Sequence, residues 1–221
     1  MKNTLFVFLG KSASGKDSIM KKFIEELHMI KVPEITTRPK REGEEEGKNY
    51  YFVTNEEFDK EVELGEIRGA TFYDTDKGIW KYGIRIEDLV DIVSENDSGA
   101  ALITNPITFT EMVEKKIFKH VNVVVIYVHR KLKKRLVASI KRDTLANSEE
   151  ILNRFLRDEH DFDTNEFLNA LEKFTGDYYS MPYVKTTIHM YNNSGTIEEN
   201  VNDLIYDSLF EVIREIRRRE E

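Results

Sequence analysis

The run Thr4-Leu-Phe-Val-Phe-Leu9 passes directly into Gly10-Lys-Ser-Ala-Ser-Gly15-Lys16-Asp17, and a helical pattern begins at once. A buried strand feeding a glycine-rich turn and then a helix N-terminus is a phosphate-binding P-loop in its usual setting. Gly10 and Gly15 let the backbone curl so that successive N–H groups point inward at a polyphosphate. Lys16 is placed to reach the outer phosphates, and the helix dipole adds to its charge. The position after the lysine commonly carries a Ser or Thr whose hydroxyl holds Mg²⁺. Here it is Asp17. A carboxylate binds a hard cation well, so Asp17 is the candidate Mg²⁺ ligand, although an acid also suits the first turn of a helix.

Composition narrows the setting. The 221 residues suffice for one α/β domain with insertions, and 13 Phe with 10 Tyr supply a sizeable core. A net charge of −8 argues against broad contact with nucleic acid or an anionic membrane, so any phosphate site must be a local basic pocket. The absence of cysteine excludes disulfides and thiolate metal sites. Leu5–Leu9 is too short for the apolar core of a signal peptide, and no spanning segment is visible. The expectation is a soluble cytoplasmic protein.

Three further apolar runs read as buried parallel strands: Ala100–Thr104, Val121–Val128 and Thr186–Tyr191. Helical patterns at Phe109–Phe118 and Leu132–Arg142 lie between them, which implies a doubly wound sheet with ligands at the carboxyl ends of its strands. Thr196–Arg219 places Ile197, Val201, Leu204, Ile205, Leu209, Val212, Ile213 and Ile216 on one face, as a helix packed on the sheet would. Residues 33–93 break the rhythm. Their turn residues and short alternating segments predict a small, mostly β insertion with a helix over Asn55–Leu64, capped by Thr54 and Glu57. The core is then 1–32 with 94–221, and the charged stretch 139–158 is expected to form a lid connecting two helices.

The segment Thr36-Thr-Arg-Pro-Lys-Arg-Glu-Gly43, followed by Gly47-Lys-Asn-Tyr-Tyr-Phe-Val53, resembles the monophosphate-binding segment of guanylate kinases, T-T-R-x-x-R-x-G-E and then G-x-D/N-Y-x-F-V. The similarity runs on through Glu56-Glu-Phe58, Gly65-Glu66 and Lys81-Tyr82-Gly83. It continues more loosely through Leu132–Arg135 and Ser148–Arg154. It covers most of the first half of the chain and is far more specific than the P-loop alone. The resemblance implies a P-loop nucleoside triphosphate hydrolase-type fold, α/β and doubly wound, with a small mostly-β monophosphate-binding insertion and a helical lid. It also implies an ATP- and Mg²⁺-dependent nucleoside monophosphate kinase, monomeric or homodimeric.

On that resemblance the ATP-binding residues are Gly10, Lys11, Ser12, Ala13, Ser14, Gly15, Lys16, Asp17 and Ser18. The acceptor monophosphate falls to Arg38 and Arg41, whose guanidinium forks can grip one phosphate, and to the hydroxyls of Tyr50 and Tyr82. Lys16 with the lid arginines Arg135, Arg142 and Arg154 would offset charge on the transferring phosphoryl, and Arg157, one turn beyond Arg154, is a further candidate. The base-reading positions depart from the family. Its serine is Glu34 here, its glutamate Gly69, its small hydroxyl residue Ile84, and its second aspartate Asn105. Glu34 and Asn105 remain able to hydrogen-bond a base edge, and the inserted segment Asp74–Trp80 can reshape the pocket.

GMP or dGMP is therefore the first acceptor to expect, with altered base selectivity. Two other readings compete: a non-catalytic guanylate-kinase-like module that docks a phosphorylated peptide, and a P-loop kinase of another small phosphorylated metabolite. An intact donor cradle disfavours the first, and the altered base-reading positions keep the second open. The five histidines show no metal-ligand spacing and are expected to be structural or solvated.

Overall fold

A computed structural model describes residues 1–75, 78–142, 148–176 and 185–192, with single positions at 196, 197, 199, 201, 212, 214 and 218. The first strand, β1 (Thr4–Leu9), is buried along its whole length because it lies at the centre of a five-stranded sheet. The order is β2 (Ile30–Lys31), β7 (Ala100–Ile103), β1, β8 (Asn122–His129) and β9 (Lys185–Tyr191), and every pairing is parallel. Strand alternation sorts β1 into two cores. Leu5, Val7 and Leu9 pack with Leu89 and Val93 of α3 (Ile86–Glu95), Phe109 and Met112 of α4 (Pro106–Glu114), and Phe167 and Phe174 of α7 (Asn165–Gly176). Phe6 and Phe8 face the other way, onto Ile19, Met20 and Phe23 of α1 (Lys16–Leu27). Helices on both faces of a parallel sheet make the doubly wound arrangement that the sequence pattern implies.

A second sheet carries the insertion, in the order β4 (Tyr50–Phe52), β3 (Glu34–Thr36), β6 (Gly78–Arg85) and β5 (Ile67–Thr75). Its helix α2 (Asn55–Leu64) has the expected bounds. Thr54 accepts from the Glu57 N–H, and the Glu57 carboxylate accepts from the Thr54 N–H, a complete capping box. Phe58 of α2 joins Ile35 and Ile67 in a small third core.

Two expectations change. The helix expected over Phe109–Phe118 runs from Pro106 to Glu114, and a separate 3₁₀ turn covers Ile117–His120. Lys116 breaks the two apart at a left-handed φ of 56°. The stretch 139–158 is helical wherever it is described: α5 (Leu132–Arg142) ends in it and α6 (Ser148–Asp161) fills the rest. Ile151 and Phe155, four apart, bury one face of α6, in keeping with the helical lid that the resemblance implies. Helices α3 and α7 complete the packing of the first core and were not anticipated. The helix expected over Thr196–Arg219 lies mostly outside the described residues, although Val201 is buried in the second core and Val212 packs against it.

Candidate active site

The P-loop forms because the residues between β1 and α1 have no regular partner and two glycines accept unusual backbone angles. Gly15, the N-terminal cap of α1, has φ 94°, and a Cβ at Gly10 would meet the Val128 carbonyl at 2.7 Å. Two distant side chains brace the loop through its carbonyls: Arg130 Nη1 donates to Ala13 O at 3.1 Å and Asn192 Nδ2 to Ser14 O at 2.7 Å. Lys16 Nζ stands 3.7 Å from the largely exposed Asp17 carboxylate.

A cavity of about 640 Å³ opens above this loop, between the carboxyl ends of the core strands, the insertion sheet and α6. Gly10, Ser12 and Lys16 form its P-loop end. Glu34, Arg41 and Tyr82 come from the insertion, Asn105 from the start of α4, and Arg154 and Arg157 from α6. Six of the sequence-derived site residues outside the P-loop therefore meet its lysine around one space, although they come from distant parts of the chain.

Arg38 and Tyr50 do not line this space but back it. Arg38 is 4% exposed, donates to Glu44 Oε1 at 2.7 Å, and lies over the Tyr50 ring at 5.3 Å. Glu44 also accepts from the Arg41 N–H at 2.8 Å, so one carboxylate sits between both arginines. The Arg38 guanidinium holds that carboxyl below its usual range. Tyr50 and Tyr73 each pack edge-on to Tyr82, with centroids 6.1 and 5.4 Å apart. Burial pushes all three phenols upward, which keeps them protonated and able to donate.

Glu34 has the most perturbed carboxyl in the cavity. Burial pushes it up to about 7, against the pull of the nearby Lys31 ammonium. Of the other departures at the base-reading positions, two do not line the cavity at all. Ile84 is fully buried in the first core. Gly69 is clamped to α4, its N–H on Glu111 and its carbonyl accepting from Thr108 Oγ1, with no room for a side chain. Asn105 caps α4 with Oδ1, which accepts from the Thr108 N–H at 2.9 Å. Its Nδ2 makes only a long 3.4 Å contact to Thr71 Oγ1. Asn105 thus offers the cavity a donor where the family has an acceptor.

Arg135 is not among the residues that line the cavity. It is 3% exposed, donates to Glu159, reaches Ser12 O at 3.5 Å and lies over the Phe155 ring at 5.0 Å. Lys11 joins the same knot, donating to Glu159 Oε2 at 2.6 Å. Burial raises the Glu159 carboxyl, but the hydrogen bonds from Lys11 and Arg135 outweigh it and hold the group below its usual range. Asp158 accepts the Ser12 backbone N–H at 2.5 Å, so a carboxylate of α6 occupies a P-loop donor. The side chain of Arg142 lies outside the described residues.

Several lining residues escaped the sequence reading. Tyr73 and Trp80 pair across β5 and β6 and supply an aromatic wall, and Arg157 lies over the Tyr73 ring at 4.8 Å. Asp74, Thr104, Asn153 and Asp161 also line the cavity. The insertion Asp74–Trp80 signalled Trp80 and Asp74; nothing in the spacing signals Tyr73, Thr104 or Asn153. His129 and His189, expected to be structural or solvated, hydrogen-bond each other at 2.8 Å beside the Tyr127 ring. Among the described residues no group of three His, Asp or Glu is arranged to hold a metal, and no helix is long and apolar enough to cross a membrane.

Comparison with known proteins follows the same lines. A family model described as guanylate kinase matches residues 2–177. The guanylate kinase of Thermotoga maritima is 51% identical over 68 residues, 30% of this chain and 33% of that protein. That of Clostridioides difficile is 39% identical over 85 residues, 38% and 42% of the two chains. The chain thus spans about a third to two fifths of the length of these relatives. A solved guanylate kinase from Anaplasma phagocytophilum aligns with 92% of this chain and 84% of its own, at 22% identity and a TM-score of 0.46. With its model matched over most of the sequence, this chain belongs to the guanylate kinase family.

Proposed function

We propose that this protein transfers the γ-phosphoryl group of ATP to a nucleoside monophosphate, GMP or dGMP before others, with altered base selectivity. The observation that carries the reading is the single cavity in which Gly10, Ser12 and Lys16 face Arg41 and Tyr82, with Arg154 and Arg157 at its rim. Phosphoryl transfer requires little beyond in-line positioning and neutralisation of charge, and this set supplies both. An oxygen of the acceptor phosphate forms the new P–O bond as the β–γ bridging bond breaks and ADP leaves. Lys16 and the P-loop N–H groups hold the donor phosphates. Arg41 and the Tyr82 hydroxyl hold the acceptor, with Arg38 and Tyr50 directly behind them. Arg154 offsets charge on the group in flight, with Arg135 and Arg142 as further lid arginines on the family pattern. Mg²⁺, when bound with ATP, would neutralise the donor phosphates, and Asp17 is its first candidate ligand.

In this reading 33–93 is the monophosphate-binding subdomain and 1–32 with 94–221 the kinase core, with the lid at about 139–158. A donor cradle opening into the acceptor site favours an enzyme over a docking module. The decisive experiment is ADP release from Mg·ATP against a panel of nucleoside monophosphates and ribosyl phosphates. Turnover with at least one nucleoside monophosphate is expected. Turnover with ribosyl phosphates alone would move the acceptor class, and none with any would leave a binding module.

A further inference from the structure

P-loop enzymes divide the protein ligands of their divalent cation between two elements. A hydroxyl follows the P-loop lysine, and a carboxylate ends a neighbouring strand. Here the residue after Lys16 is Asp17, so the P-loop brings the carboxylate. Neither strand beside β1 ends in an acid: β7 runs out through Ile103-Thr104-Asn105, and β8 through His129-Arg130. Asn105 has already given its Oδ1 to the cap of α4.

Thr104 is the residue left at the end of β7. Its N–H donates to Phe8 O at 3.2 Å, which fixes it against the last residues of β1, just before the P-loop. The residue is 4% exposed, and its hydroxyl has no hydrogen-bond partner. Five buried side-chain atoms lack a partner among the described residues, and Thr104 is the only one of their residues that lines the cavity with Gly10 and Lys16. An unpaired buried hydroxyl destabilises the fold unless a ligand completes it. The charges lining the same space are the cations Lys16, Arg41, Arg154 and Arg157 and the carboxylates Glu34, Asp74, Glu149, Asp158 and Asp161, and Lys16 Nζ stands 3.7 Å from the Asp17 carboxylate. Magnesium suits such a sparse donor set, because it keeps several waters and takes nucleotide oxygens beside one or two protein ligands.

We propose that Asp17 and Thr104 together hold the divalent cation of the nucleotide complex, with the two ligand roles exchanged between loop and strand. The proposal rests on the reading of the P-loop as an ATP site, and its test separates the two. Binding of Mn²⁺·ADP is followed by the electron paramagnetic resonance of Mn²⁺, and binding of ADP in excess EDTA by calorimetry. Thr104→Val should lose about tenfold or more of the affinity that the metal adds, and should leave metal-free ADP binding unchanged. Its unliganded melting temperature should not fall, since the lost hydroxyl had no partner. Thr104→Ser should keep the metal-dependent affinity. Asp17→Thr combined with Thr104→Asp restores one hydroxyl and one carboxylate, and should recover most of the metal response that either Asp17→Ala or Thr104→Val loses. Wild-type Mn²⁺·ADP affinity in a folded Thr104→Val protein overturns the proposal, as does loss of metal-free ADP binding in that variant. Failure of the unmodified protein to bind ADP in EDTA would instead overturn the ATP-site reading beneath it.

Discussion

Lys16 and Glu34 face each other's charge across one cavity, and each has a consequence of its own. Lys16→Ala removes the ammonium nearest the donor phosphates and little packing. Turnover should fall by about 10²–10³-fold, as when one preorganised charge-stabilising donor is lost, with the fold intact by circular dichroism. Near-normal turnover in the purified variant would refute the donor assignment. Glu34 makes a prediction about pH. Its folded carboxyl titrates at about 7, above its ordinary value of 4.5, so the folded state holds this proton more tightly than the unfolded one. A raised carboxyl lowers stability as pH climbs from about 4.5 to about 7, and the loss then stays constant. Glu34→Gln is exempt from it. In urea melts the variant should therefore be more stable than the wild type at pH 8 by about 2 kcal/mol, allowing for residual solvent contact, and equal to it near pH 4. An equal difference at both pH values would show that the effect is packing rather than charge.

At the scale of elements, α6 bonds directly to the P-loop. Its Asp158 occupies the Ser12 N–H, and its Glu159 ties Lys11 to Arg135, so the helix holds donors that a nucleotide phosphate would need. Asp158→Asn keeps the shape and removes the competing charge. Metal-free ADP should bind the variant about threefold to tenfold more tightly, the difference between a charged and a neutral acceptor on one N–H. Unchanged or weaker binding by calorimetric titration would mean that Asp158 and the phosphate do not share that donor. How legible each element was from sequence follows from where its signal lies. The P-loop strand, the α2 capping box, β7 and β8 carry local signals: an apolar run, or Thr54 and Glu57 three apart; β9, expected as a buried strand, lies at the sheet edge with Tyr191 exposed. Helix α6 hides its apolar face, Ile151 and Phe155, among charges, so its local pattern is weak and a helix there is implied only by the family resemblance. The latch of Asp158 on Ser12 joins residues 146 apart in the chain, and no local pattern encodes it.

For the whole molecule, the two ends of the proposed acceptor site are built by different parts of the fold, and they match the family pattern to different degrees. Its proposed phosphate end draws Arg41 and Tyr82, backed by Arg38 and Tyr50, from β4, β6 and the loop between β3 and β4, and these residue types follow the family pattern, so the sequence alone singles them out. The base end depends on how the insertion sheet meets α4. Gly69 and Ile84 sit where that contact and the core absorb them, which only the packing reveals. What remains around the base is an aromatic wall of Tyr73 and Trp80, a donor on Asn105 and the Glu34 carboxyl. Stacking on a wall of this kind tolerates every base, because each has a π-face. A site with few obligatory polar partners also leaves little unpaired when the wrong base enters, which limits discrimination to about 10²-fold, whereas a fully hydrogen-bonded site reaches about 10⁴–10⁵. Relative kcat/KM for GMP, dGMP, AMP, IMP, CMP, UMP and dTMP should therefore include more than one nucleotide within about 100-fold of the best. Preference for GMP by many thousandfold over all the others would mean that Glu34 and Asn105 form a complete guanine-reading set. In that case Glu34→Gln should abolish the preference while leaving ATP binding unchanged.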